Sequence, residues 1–176
     1  MVPKIGDHFS YVCGVLNQTI DPPTVCPKAI KTSTQVVFYS PLRRSSECLY
    51  RADNQSYFVS NNLKEIPFAL NRFITEDDWK KEGSALVRRS FKEAFKTDRL
   101  DIKRDKLFEE IQSFLSLCKS LGEKEITAVS HSFRLKIFEA FLSTKSKIVS
   151  SPNLIENYIF DGDRTYDFGG GFEIVL

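Results

Sequence analysis

The sequence predicts an α/β fold, with helices packed around a largely parallel sheet. Two short, continuous apolar runs, Val36-Val37-Phe38-Tyr39 and Ile126-Thr127-Ala128-Val129, have the length and the β-branched and aromatic content of buried strands. Directly after the second, apolar residues recur at Phe133, Ile137, Phe138, Phe141 and Leu142, the stripe of an amphipathic helix. Strand followed by helix, repeated over most of the chain, is the pattern of an α/β sandwich.

In chain order, Phe9-Ser10-Tyr11-Val12-Cys13 is a β-type run ending at Gly14 and predicts a first strand. The turn-rich segment after it contains Pro22-Pro23, which forbids a long helix there. Lys28 to Lys31 predicts one helical turn, and Val36–Tyr39 the second strand. Pro41 suits the first turn of a helix, expected to run to about Ala52. Tyr57-Phe58-Val59 is a third strand, with a loop through Glu65 and Phe68 behind it. Thr75, followed by Glu76-Asp77-Asp78, reads as a capped helix start. That helix is expected to reach about Phe95, with Gly83 a weak point. Leu107, Ile111, Phe114, Leu115, Cys118 and Leu121 keep helical spacing, closed by Gly122. The tail offers strand candidates at Lys147–Val149, Tyr158–Phe160 and Phe172–Val175.

Composition bounds the function. A chain of 176 residues is long enough for one sizeable core and predicts one domain. A net charge of +2 gives no electrostatic case for nucleic acid or a membrane surface. No run approaches the roughly 18 apolar residues of a membrane span, and the amino terminus lacks the apolar core of a secretion signal. Cys13, Cys26, Cys48 and Cys118 form no Cys-x-x-Cys pair, which reads as reduced thiols in a cytoplasmic protein with no zinc site. The carboxylates show no metal-ligand clustering, and neither a metal nor a cofactor is implied. The basic stretch from Arg88 to Lys106 is interleaved with acids and reads as a salt-bridged, solvated face.

Two segments draw attention for candidate site residues. His131 falls between a strand end and a helix start, the edge at which open α/β sheets bind ligands and where a helix amino terminus favours anions. It reads either as a functional histidine or as a structural one. Arg43 and Arg44 lie in the first turn of a predicted helix, where the macrodipole disfavours cations. One of them reads as a solvated arginine, the other as the partner of an anion.

These segments resemble those of the histidine phosphatase, or phosphoglycerate mutase-like, superfamily. Ser40-Pro41-Leu42-Arg43-Arg44-Ser45-Ser46-Glu47-Cys48 is similar to that family's Ser-Pro-Leu-x-Arg-Ala-x-Gln-Thr, placing Arg44 on the phosphate-binding arginine. Val129-Ser130-His131-Ser132-Phe133-Arg134 is similar to Val-Ser-His-Gly-Gly-x-x-Arg, placing His131 on the second active-site histidine. Leu63-Lys64-Glu65-Ile66-Pro67-Phe68 is similar to Leu-x-Glu-x-x-Phe-Gly, whose glutamate is the proton donor. The resemblance runs from Tyr11 to about Leu142. It implies a three-layer sandwich around a mostly parallel sheet, in a single domain with a helical insertion at about 75–100. The implied partner is a phosphorylated small molecule or phosphoprotein.

The chain departs from the family at the nucleophile. Where the family has Arg-His-Gly after its first strand, this sequence reads Val12-Cys13-Gly14. His8 lies five residues before Cys13, roughly 16 Å along an extended strand, and reads as a structural or surface histidine. Cys13 is either a replacement nucleophile, its thiol activated by Arg44 and His131, or an inert core cysteine. Three functions follow: an anion-binding protein without histidine-based phosphoryl transfer, a phosphomonoesterase using Cys13 or a water activated by His131, and a protein-interaction module with a vestigial pocket.

Overall fold

The computed structural model describes residues 5–23, 29–160 and 171–173. At its centre are three parallel strands, β1 (Val36–Tyr39), β2 (Ser56–Val59) and β3 (Ile126–Val129), in the order β2-β1-β3. Val36 pairs with Ser56 on one side and Ile126 on the other, and Tyr39 with Val59 and Val129. All three strands therefore end level, at one edge. Among the described residues the α-helices are α1 (Ile5–Leu16), α2 (Arg43–Ser46), α3 (Glu76–Glu82), α4 (Ala85–Lys96), α5 (Arg104–Ser120) and α6 (Ser132–Ser143). Short 3-10 turns complete the described elements. No described helix is long and apolar enough to cross a membrane.

Alternation along the strands puts Val36, Phe38, Phe58, Ile126 and Ala128 on one sheet face. That face carries the helical core, and phenylalanine builds it. Phe38 meets Phe114 of α5 edge-on, and Phe114 meets Phe138 of α6. Phe91 of α4 lies flat on Phe133 of α6, ring centres 4.0 Å apart. Phe108 of α5 contacts both Phe95 of α4 and Phe141 of α6. On the opposite face the cover is polar and aromatic. The Thr127 hydroxyl bonds to Thr32 and Thr34, and the Arg51 guanidinium lies over Tyr39 and Tyr57.

Several expectations are corrected. Phe9–Cys13 is part of α1, not a strand. Phe9, Val12, Cys13 and Leu16 keep the i, i+3, i+4, i+7 spacing of a helix face, and this periodicity overrides the local β preference. Gly14 permits the chain to fold back beyond the helix. Ile20 N–H donates to its carbonyl, and a Cβ there would stand 2.5 Å from Ile20 Cδ1. The helix expected from Pro41 to Ala52 shrinks to α2, because Leu49 is drawn into a parallel bridge with Ile30. The same bridge replaces the helical turn expected up to Lys31; Lys28 lies outside the described residues. Lys147–Val149 forms a 3-10 turn, reached through positive φ at Lys145 and Ser146. Tyr158 follows another such turn and Ile159 and Phe160 form no strand, while Ile148, Ile155 and Ile159 pin this segment to the core one side chain at a time. Phe172 and Glu173 are not in a strand, and Ile174 and Val175 lie outside the described residues. Cys48 is disulfide-bonded, whereas Cys13 and Cys118 are free thiols. Cys26 lies outside the described residues. A disulfide is stabilised by oxidising surroundings, so the cysteines no longer argue for a cytoplasmic location.

Other expectations are met. β1, β2, β3 and α6 stand where the apolar runs put them, and a capping box at Thr75 and Asp78 starts α3. Gly83, at φ 61°, divides the helix expected over 75–95 into α3 and α4. Gly122, at φ 66°, follows the end of α5.

The Phe91–Phe133 stack joins α4 to the first turn of α6, and its loss is expected to loosen both. Phe91→Ala should cost about 3–5 kcal/mol in urea unfolding. A cycle with Phe133→Ala should show about 1 kcal/mol of coupling between the rings; additive losses would mean that the stack contributes only buried area.

Candidate functional site

Three segments meet at the carboxyl edge of the sheet because the strands end level and each must turn there. Ser40 follows β1, Ser60 begins the loop after β2, and Ser130-His131 follow β3. Backbone bonds hold them together: Ser40 N–H donates to Val129 O (3.0 Å) and Ser60 N–H to Tyr39 O (2.9 Å). The Ser130 hydroxyl donates to Leu63 O (2.6 Å), and the Ser45 hydroxyl of α2 to Val129 O (3.2 Å).

The two arginines of α2 part company. Arg43 turns outward into an exposed ion pair with Glu47 (2.8 Å), while the Asp21 carboxylate accepts its backbone N–H (2.9 Å). Arg44 turns inward, and its Nε–H donates to His131 Nδ1 (3.3 Å). Its Nη1 is buried without a hydrogen-bond partner. Among the described residues no carboxylate forms an ion pair with Arg44.

His131 is 8% exposed. Burial, then the charges of Arg44 and Arg134, push its pKa down to about 3, so the ring is neutral. The tautomer follows from the donors. A guanidinium N–H only donates, so Nδ1 is the acceptor and the single ring proton sits on Nε2. From there it donates to Ser40 Oγ (2.8 Å), which also accepts from Leu42 N–H (3.3 Å). Both ring nitrogens are therefore engaged, and neither is open to a water or a phosphorus atom in this arrangement.

Glu65 is 7% exposed and caps α6. His131 occupies the N-cap position but makes no side-chain cap. Instead Glu65 Oε1 accepts from Arg134 N–H (3.0 Å) and Ile66 N–H (2.9 Å), and Oε2 from Phe133 N–H (3.4 Å). Burial pushes the carboxyl up from its ordinary range, opposed by these N–H groups and by the charges of Arg44 and Arg134. Arg134, 2% exposed, donates to Lys64 O (2.7 Å) and pairs with Glu110 of α5 (3.0 Å).

The structure thus brings together Arg44, Glu65 and His131, the three positions that the family resemblance marks. Cys13 has different surroundings. It is buried in the helical core on α1, where burial pushes its thiol up and the Asn71 backbone N–H is its polar contact. Those are the surroundings of a packed cysteine, opposite to the electropositive ones that activate a thiol. His8 stands exposed on α1, its ring against Trp79. Sequence reasoning missed Ser40 as the partner of His131, although it opens the Ser-Pro-Leu segment. It also missed Glu110, which carries no local signal. Among the described residues no group of three or more His, Cys, Asp or Glu side chains is placed to hold a metal.

The neutral His131 makes stability depend on pH with a definite sign. Below about pH 6.5 the unfolded ring takes a proton that the folded one refuses, so the His131 contribution, full above that pH, is lost as pH falls toward about 3. The expected slope is about 1.4 kcal/mol per pH unit. Glu65, pushed up, works in the opposite sense: it favours the folded state below the ordinary carboxylate range and loses that effect as pH rises through its folded pKa. Comparing urea midpoints of wild type and His131→Asn between pH 4 and 7 isolates the histidine; parallel curves would show that His131 is not held neutral. Set against family models, curated proteins and solved structures, the chain matches none of them.

Proposed function

We propose that this protein is a diverged member of the histidine phosphatase, phosphoglycerate mutase-like fold. In this reading it binds a phosphate ester or other anion without histidine-based phosphoryl transfer. The observation that carries the reading is Arg44 Nη1, a guanidinium nitrogen buried without a partner beside a neutral histidine. A buried polar group left unpaired costs about 1–3 kcal/mol, and more when charged, and a phosphoryl oxygen is a geometric match for the guanidinium fork. The locked His131 and the core-bound Cys13 support binding over bond-making. The partner expected on this reading is a phosphorylated small molecule or a phosphoprotein.

Orthophosphate and phosphorylated ligands should raise the thermal midpoint of the wild type, and Arg44→Gln should abolish the shift. At a ligand concentration 100 times Kd the stabilisation is about 2.7 kcal/mol, or roughly 5–10 °C for a chain of this size. Release of phosphate from an aryl phosphate, in EDTA between pH 5 and 8, should be undetectable. Turnover lost in both Cys13→Ala and His131→Ala would replace this reading with a phosphatase using a new nucleophile. Turnover lost only in His131→Ala would point to attack by water.

A further inference from the structure

The place at which an anion is expected already holds one. The first N–H groups of a helix and the positive end of its dipole are a natural seat for negative charge. At the start of α6 that seat is taken by Glu65, whose oxygens accept from Phe133 and Arg134 N–H. The same carboxylate lies in the field of Arg44 and Arg134. The cluster is also closed, with Ser40 fully buried, Glu65 and His131 nearly so, and Arg44 alone half-buried. One resident negative charge and one unmet donor, Arg44 Nη1, therefore share the same edge of the sheet.

Building on the anion-binding reading above, we infer that Glu65 is a built-in competitor. Its carboxylate occupies the position of a phosphate group at the start of α6, in the field of Arg44, and an outside anion that bridges Arg44 and the α6 N–H groups binds only as Glu65 gives those N–H groups up. Glu65 in this role sets when the site is open, and is not a proton donor to a leaving group.

The consequence is pH dependence of a definite sign. Protonating Glu65 removes the competing charge from the field of Arg44, so outside anions bind more tightly as pH falls. Burial places that protonation above the ordinary carboxylate range. The charged groups facing Glu65 are Arg44 from α2 and Arg134 from α6. Glu110 of α5 acts through its ion pair with Arg134, and Lys64 of the same loop gives Arg134 its carbonyl. His131 stays neutral until about pH 3 and contributes no change of charge at milder pH.

Sulfate is the suitable probe, since its own charge is constant between pH 5 and 8. Calorimetric titration at fixed ionic strength should show wild-type affinity rising at least tenfold as pH falls through the titration of Glu65, above the ordinary carboxylate range. Glu65→Gln keeps a carbonyl acceptor for the Arg134 N–H. It should bind sulfate at least tenfold more tightly than wild type at pH 8, with a flat pH profile. Adding Arg44→Gln should abolish binding. If Glu65→Gln does not fold, as judged by circular dichroism, the wild-type profile decides, set beside the infrared band of a protonated carboxyl over the same pH range. Arg44-dependent, pH-independent binding that Glu65→Gln leaves unchanged would overturn the competitor role while the anion-binding reading stands. No sulfate or orthophosphate binding by wild type or Glu65→Gln at any pH would overturn both.

Discussion

The carboxylate of Glu65 on the first turn of α6 is the contact on which this edge of the molecule depends. A helix start leaves backbone donors without intrahelical partners, and the residue at the N-cap position of α6, His131, provides no side-chain cap. The loop after β2 provides it instead. One side chain thereby fixes the path of residues 60–66, the seating of α6 and the charge balance around Arg134, which is almost fully buried. Buried charges persist when they are paired and hydrogen-bonded. Here the Arg134 guanidinium pairs with Glu110, while Glu65 accepts the Arg134 backbone N–H, linking the loop to α5. Gln18 extends this link to the segment after α1 by donating to the Glu65 carbonyl.

Against that fixed background His131 works as a spacer with direction. Its ring accepts from Arg44 and donates to Ser40, so it ties α2 to the end of β1 and sets where the guanidinium can point. A ring that spends both nitrogens on protein partners holds a neighbour in place. To act as a base or nucleophile it would first have to break the bond that orients Arg44 or the bond to Ser40. Positioning and proton transfer are competing uses of this ring.

What could be read from the sequence follows the range of the interactions. β1, β2, β3 and α6 were legible because a strand buried in a sheet needs only a local apolar run, and α6 declares itself by period. The contrast between Arg43 and Arg44 was legible as a pair, one solvated and one turned inward, since a cation in a first helical turn needs a reason. The α1 segment was misleading because Tyr11-Val12-Cys13 favours strand locally, while the competing signal, Phe9 to Leu16, becomes clear only over two turns. The tail runs as 3-10 turns because Ile148, Ile155 and Ile159 are each buried in the core with no strand partner. Ser40 with His131 and Glu110 with Arg134 are pairs that only the fold creates, as is the capping of α6 by Glu65. The disulfide at Cys48 was equally invisible, since spacing alone says nothing of a pairing.

The helix at the start of the chain also decides what kind of site the sheet edge is. With α1 packed in the helical core, β1 pairs directly with both other strands, and the carboxyl edge draws its side chains from Ser40, Arg44, Glu65 and His131. Among the described contacts, the segment after α1 adds the Gln18 carboxamide on the Glu65 carbonyl, while Cys13 faces away into apolar packing. Charge recognition and attack on phosphorus need different groups. Recognition requires a fixed cation and ordered donors, and Arg44 with the start of α6 has both. Attack requires a nucleophile with a free lone pair aimed into the same space, and both candidates are committed elsewhere, His131 to its two hydrogen bonds and Cys13 to the core. The edge therefore gathers a buried cation and helix-start donors around Glu65 without bringing a free nucleophile to them.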